Sequence, residues 1–232
     1  MSHPRLALSL LFCSVVASSS ATAQSIPSPY RFVELGQEWA VFAGKSAMNP
    51  GGLGLGPQDA TVFGARYGAA FGGMAALDVH ATWFQSTRDV LDVTRPQGDR
   101  VIGRSDFGVL LGDARLRINL TGQRALHGIQ PFVAFGGGMA GTGSIDRVFE
   151  IAQDMPADEW FDFGPVFTGV LAAGTNIHIA SKISLRIEGE MDLWKVGTPV
   201  GWQTLVNDPL GENPESEWVS NYSITFGAAW RR

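Results

Sequence analysis

The segment Ser184–Trp194 reads SLRIEGEMDLW. Alternate positions hold Leu185, Ile187, Gly189, Met191 and Leu193; the positions between hold Ser184, Arg186, Glu188, Glu190, Asp192 and Trp194. Successive side chains of a β-strand point to opposite faces, so this spacing predicts a strand with one apolar face and one charged face. Few folds accommodate both. A soluble sandwich would turn the charges to water. A membrane barrel would turn the apolar face to lipid and the charges inward.

The first residues read as an export signal. Arg5 supplies a positive start, Leu6–Ala17 (LALSLLFCSVVA) a short apolar core, and Ala21-Thr22-Ala23 an A-x-A cleavage site. Residues 1–23 are therefore expected to be a cleaved signal peptide, with the mature chain beginning at Gln24. The core is too short to span a bilayer. The one cysteine, Cys13, lies inside it, and Phe12 is too bulky to precede a lipidated cysteine. The mature chain is then an exported protein without disulfides. A formal charge of −5 points away from a nucleic-acid partner. No apolar run of ~18 residues follows the signal, which excludes a helical membrane protein.

Period-two alternation recurs through the rest of the chain. Eight strands are predicted, at about Glu38–Gly44, Ala60–Phe71, Ala75–Ser86, Ile102–Leu120, Ile129–Ala140, Trp160–His178, Ser184–Trp194 and Trp218–Trp230. In the fourth, Phe107, Val109 and Leu111 fall out of phase with the apolar set Ala114, Leu116, Ile118 and Leu120, which suggests a bulge near Gly112. The connections alternate between long and short. The long ones carry turn chemistry: NPGGLGLGPQD, TRPQGDR, QDMPADE and NDPLGENPE. A sandwich has no reason for that regularity; an outer-membrane barrel does, with long loops outside and short turns in the periplasm. Trp83, Trp160, Trp194 and Trp218 lie beside long loops, and Trp39 and Trp230 at the start of the first strand and the end of the last. All six are expected to form two interfacial girdles, with Trp39 and Trp230 brought together where the sheet closes.

Lipid offers no hydrogen bonds to an open sheet edge, so the sheet must close. At eight strands the interior is just wide enough for side chains to fill. The inward set is expected to be Arg66, Asp78, His80, Asp113, Arg115, Arg117, Arg186, Glu188, Glu190 and Asp192, a charge network that fixes register more than it adds stability.

This pattern resembles the small eight-stranded outer-membrane proteins, the group that includes the membrane domain of the outer-membrane protein A family and its short relatives. The resemblance covers about residues 36–232. Its most specific piece is the end, SNYSITFGAAWRR: Gly227 with Trp230 three residues on resembles the C-terminal assembly signal of such barrels, although the chain ends on Arg231-Arg232 and not on an aromatic. The expected architecture is all-β: a short periplasmic segment over 24–36, then an eight-stranded antiparallel up-and-down transmembrane β-barrel over 37–232.

Some barrels of this kind modify lipid A, which requires a histidine with a nucleophilic or polar partner at the outer rim. The mature histidines are placed otherwise: His80 mid-barrel, His127 and His178 in or beside periplasmic turns. The Gly51–Pro57 run lacks the Gly-Lys-Ser/Thr end of a phosphate loop, and the acidic loop residues match no calcium loop. No catalytic, cofactor or metal residues are therefore assigned. The expected role is structural or interactive: a monomer in contact with outer-membrane lipid, with four loops open to an extracellular partner. A narrow pore, a lipid A-modifying enzyme and a soluble ligand-binding barrel are the alternatives.

Overall fold

The computed structural model describes residues 28–203 and 215–232, apart from Leu53, Val93 and Gln97. The expected signal peptide lies outside the described residues. The strands are Tyr30–Phe32 (β1), Gln37–Asn49 (β2), Ala60–Phe71 (β3), Ala75–Leu91 (β4), Val101–Asn119 (β5), Arg124–Leu126 (β6), Ile129–Ile145 (β7), Val166–His178 (β8), Ile183–Gly197 (β9) and Ser216–Arg231 (β10). The long strands pair antiparallel in chain order, β2-β3-β4-β5-β7-β8-β9-β10, and β10 returns to pair with β2. The result is the closed eight-stranded up-and-down barrel that the alternation predicts. The short strands β1 and β6 pair with each other beside the β5–β7 turn.

Closure brings Trp39 and Trp230 into direct cross-strand register. A walk around the barrel perpendicular to the strands shows the stagger. From Trp39 it passes Tyr67, Val79, Ala114, Gly137, Gly169, Leu193 and Ser220, and re-enters β2 at Asn49. A displacement of about ten residues at ~3.3 Å each, over eight spacings of ~4.8 Å, corresponds to a strand tilt of about 40°. Rows of paired residues therefore climb toward the long-loop end by roughly 3 Å per strand in the direction β2 to β3, and descend the other way.

Two sequence expectations need correction. On the long-loop side β2, β4 and β7 run further than expected, with alternation in β4 continuing past Ser86 through Arg88 and Val90, whereas β8 is shorter, starting at Val166 and leaving Trp160 in a loop. There is also no phase break at Gly112. Phe107, Val109 and Leu111 are buried in the same inward phase as Asp113, Arg115 and Arg117; the register shifts of this strand lie at Gly108/Val109 and opposite Val90/Leu91. The physical reason is that the interior changes character along its axis, from charged to apolar, while the strand keeps its face.

Candidate functional site

The interior has two halves. Toward the short-turn end it holds a network of buried charges delivered by alternate positions of β2, β3, β4, β5 and β9. Arg66 contacts Glu38 at 3.0 Å, and Asp78 and Glu188 at 3.9 and 3.8 Å. Asp78 also faces Arg117 at 3.0 Å and Arg186 at 3.1 Å. Arg115 binds Asp113, and reaches Glu188 at 3.1 Å and Glu190 at 2.6 Å. Arg186 binds Glu188 at 2.5 Å and lies 4.0 Å from the Phe132 ring centre. Asp192 accepts a hydrogen bond of 2.9 Å from Asn221, which in turn binds Ser46. His80 stands among these residues with its ring 5.8 Å from that of Phe42, and among the described residues neither of its ring nitrogens finds a partner. Phe42 lies flat across Gly64: a Cβ there would fall 2.2 Å from the ring, so glycine makes room for the aromatic roof over His80.

Every residue expected in the luminal network thus lies inside the barrel, and most are linked in one web of Arg–carboxylate contacts. Sequence reasoning missed Glu38, although its phase opposite Trp39 marks it as inward. It also missed Arg231, which contacts Glu38 at 3.7 Å and donates to the backbone oxygen of Glu34 at 3.0 Å and to His178 Nδ1 at 2.5 Å. His178 Nε2 is 3.0 Å from Gln130 Oε1, so with Nδ1 accepting, Nε2 carries the proton.

Toward the long-loop end the interior is apolar. Val62, Phe84, Phe107, Val109, Leu111, Trp194 and Val196 come from the strands, and Leu55, Phe161, Phe163 and Trp202 from the loops above them; all are buried in one cluster. Phe107, Phe161, Phe163 and Trp194 pack edge-to-face or stacked, with centroids 5.7–6.4 Å apart. The loops enter by specific devices. Gly52 N–H donates to the Glu217 carboxylate at 2.8 Å, and Gly51, at φ 86°, leaves no room for a side chain beside that carboxylate. This anchors the Gly51–Pro57 run and sets Leu55 in the plug. In the β7–β8 loop, a short helix α1 (Val148–Ala152) carries Glu150 inward to a buried ion pair with Arg88, whose guanidinium stands 4.8 Å over the Phe161 ring.

The outer wall is apolar. Trp39, Trp230, Trp83 and Trp218 face outward on it, Trp83 stacked on Phe63 at 6.4 Å. Trp194 does not join them. Only 1% exposed, it sits inside the plug, because it falls in the phase of Asp192 and Arg186. Trp160 is a loop residue whose indole donates to the Met155 carbonyl at 3.0 Å under the Arg147 guanidinium. Neither belongs to a girdle, which corrects the expectation for both.

Above the barrel, burial opposes ionisation of Asp92, but hydrogen bonds from Thr94 and Arg95 outweigh it and hold the carboxyl below its ordinary range. Partial burial, with the Asp158 and Asp92 carboxylates nearby, pushes Glu159 up.

No protein-family model and no curated protein matches this sequence. Among solved structures the chain is similar to Neisserial surface protein A, at 10% identity over 85% of this chain and 97% of that one, with a TM-score of 0.51. It is likewise similar to the outer membrane protein OprG from Pseudomonas aeruginosa, at 11% identity over 86% and 99%, with a TM-score of 0.50. At such identity the likeness is one of fold: this chain has the architecture of the small eight-stranded outer-membrane barrels.

Proposed function

We propose that this protein is a monomeric integral barrel of the outer membrane, exported through a cleaved signal at residues 1–23, and that it acts through its four long loops at the cell surface without conducting or catalysing. The observation that carries this reading is the filled interior. The long-loop half is closed by the plug around Trp194 and Phe163, and the other half is crossed by the Arg–carboxylate web. A wall of outward Trp, Phe, Leu and Ile supports the membrane setting, because a closed sheet is the form in which strands can cross lipid. The two structural neighbours, one named a surface protein and the other an outer membrane protein, agree with that setting.

The pore reading has one observation in its favour. Unpartnered buried polar atoms, including His80 Nδ1 and Nε2 and Arg186 Nη2, lie in the charged half and call for ordered water. The apolar plug stands between that half and the long-loop mouth. For the enzyme reading, His80 is enclosed by the web, His178 is held by Gln130 and Arg231, and His127 sits in the turn between β6 and β7 at φ 51°.

Heat-modifiability tests the barrel: the unboiled membrane-fraction protein should migrate differently from the boiled form on a detergent gel. Planar bilayers test the seal. The wild type should give no single-channel steps, and stable steps at moderate voltage would refute a closed lumen. Unchanged lipid A on overexpression is expected as well.

A further inference from the structure

The residues before β2 form a strap over the short-turn mouth of the barrel. β1 pairs with β6 in the β5–β7 connection, and Val33 N–H donates to the Gln123 carbonyl at 2.8 Å. By Gly36, whose carbonyl accepts from Ala70 N–H at 3.2 Å, the chain has reached the β2–β3 side. Around the closed barrel β2 stands three places from β5 and four from β7, so residues 33–36 cross the mouth from one wall to the opposite one.

Between this strap and the β8–β9 turn lies a cavity of about 310 Å³, lined among others by Arg31, Phe32, Glu34, Ala180, Ser181 and Arg231. That is room for about ten waters, at the small end of organic-ligand sites. A single ion would leave most of it empty.

The two cations of the cavity differ in how they are held. The Arg231 side chain is 7% exposed and fixed in place: it donates to the Glu34 carbonyl at 3.0 Å and to His178 Nδ1 at 2.5 Å, while the Glu38 carboxylate stands 3.7 Å away, beyond hydrogen-bonding distance. A guanidinium has five N–H donors, so these two bonds leave others for a ligand. Arg31 is exposed and pairs with no carboxylate among the described residues, and the Ser181 hydroxyl makes no hydrogen bond among them. Two guanidiniums call for an anion, and Phe32 and Ala180 for an organic one. Glu34 opposes a second negative charge on the ligand and offers an acceptor to an amide N–H.

We propose that this cavity binds the C-terminal end of a peptide, with its carboxylate between Arg31 and Arg231 and its last side chain against Phe32. That the peptide comes from the periplasm rests on the membrane reading above; the binding itself rests on the cavity.

The test is an NMR titration of the isotope-labelled full barrel in dodecyl maltoside, read at the amides of Phe32, Val33 and Ser181. The probes are N-acetyl-alanyl-alanine, its C-terminal amide and inorganic phosphate. The peptide acid should shift those amides with a dissociation constant of about 1 mM, the scale of a small ligand held by charge-assisted contacts, and the amide and phosphate should bind about tenfold more weakly or worse. Arg31→Gln should weaken the acid by about tenfold, and since β1 is held to β6 through its backbone this variant is expected to fold. Ala180→Phe, at an exposed turn position, should fill the cavity and abolish binding. No shift with excess peptide, an amide bound as well as the acid, or affinity unchanged in Arg31→Gln and Ala180→Phe barrels that are still heat-modifiable overturns the proposal. Phosphate bound as tightly as the peptide would reveal an adventitious anion only and overturn it as well. None of these results touches the membrane reading, which fails separately if the wild type is not heat-modifiable.

Discussion

The Arg88–Glu150 pair is the point at which the β7–β8 loop can be released from the plug with one substitution. Arg88 is 2% exposed and Glu150 1%. Removing one partner of a buried ion pair leaves an uncompensated charge and costs about 3–5 kcal/mol. In Glu150→Ala the guanidinium would keep its contact with Phe161, at 4.8 Å, but a cation–π contact returns only about 0.5–2 kcal/mol. The barrel need not absorb the difference. Helix α1 has five residues, and Val148 and Ile151 project into solvent at 66% and 65% exposure. What holds it is Glu150 and the partial burial of Phe149 against Gly103. Releasing the loop and hydrating Arg88 is therefore the cheaper response. Glu150→Ala should free residues 146–156, while Phe161 and Phe163 stay packed in the plug, without lowering the stability of the barrel by more than about 1 kcal/mol, since the ladder itself is untouched.

Three readouts follow from that reasoning. Limited proteolysis should cut the β7–β8 loop much faster, amide exchange at Val148–Ala152 should lose protection, and the heat-modified mobility shift should persist. The double variant Arg88→Met/Glu150→Leu should restore protection, because replacing a buried pair by apolar residues of similar volume is neutral or stabilising by about 1–4 kcal/mol. A single variant cut no faster than the wild type would falsify the anchoring role. A double variant as labile as the single would show that the pair's charge, and not its burial, holds the loop.

Further predictions concern the two halves of the interior and the loop surface. Trp194→Ala should destabilise the barrel by about 3–5 kcal/mol in urea unfolding from vesicles and introduce conductance steps, since it removes the centre of the plug; a silent, equally stable variant would contradict the packing. Asp78→Leu should cost about 3 kcal/mol or more, because Arg66, Arg117 and Arg186 all turn to that carboxylate; an unchanged midpoint would mean that the web is not enclosed. Glu159 should titrate above the ordinary glutamate value of 4.5. Its raised folded value means that its ionisation opposes loop packing as pH rises through that range, so Glu159→Gln should increase loop protection at neutral pH; a carboxyl titration at or below 4.5 would contradict this. Asp92 acts in the opposite sense: its depressed value contributes stability above the ordinary aspartate range that is lost as pH falls, and Asp92→Asn should remove that acid-side loss.

What could be read in the sequence was what depends on nearest neighbours along a strand. The alternation in SLRIEGEMDLW assigned an inward phase to Arg186, Glu188, Glu190 and Asp192, which lie in the web, because a period of two leaves no choice once the apolar face is outside. The meeting of Trp39 and Trp230 was legible for a topological reason: an up-and-down sheet can close only by joining its first strand to its last. What failed was the assumption that polarity marks the face. In β5 the inward row reads Phe107, Val109, Leu111, Asp113, Arg115, Arg117, and the change of chemistry at Leu111 mimicked a bulge. Trp194 was misplaced by the same assumption, since its phase put it inside while its type suggested an interface.

The remaining gap is one of distance along the chain. Glu150 reaches Arg88 from a loop 62 residues away, and no periodicity in QDMPADE or in its flanks announces that contact. Stagger is invisible for the same reason, because nothing within one strand states that a walk from Trp39 returns at Asn49. Yet that stagger sets which residues of β2, β10 and β9 stand side by side around the barrel. Local alternation thus accounts for the wall and the web, while the plug follows from how far each strand slides past the next. Substitutions that alter side-chain type should act on the former, and insertions that change register on the latter. Adding two residues to β2 between Trp39 and Ser46 would keep every face but lift Ser46 by about 5 Å along the barrel axis, out of reach of Asn221. Such a barrel should stay heat-modifiable but unfold at a lower urea concentration, since Asn221 would lose its buried partner; an unchanged midpoint would mean that register does not build this contact.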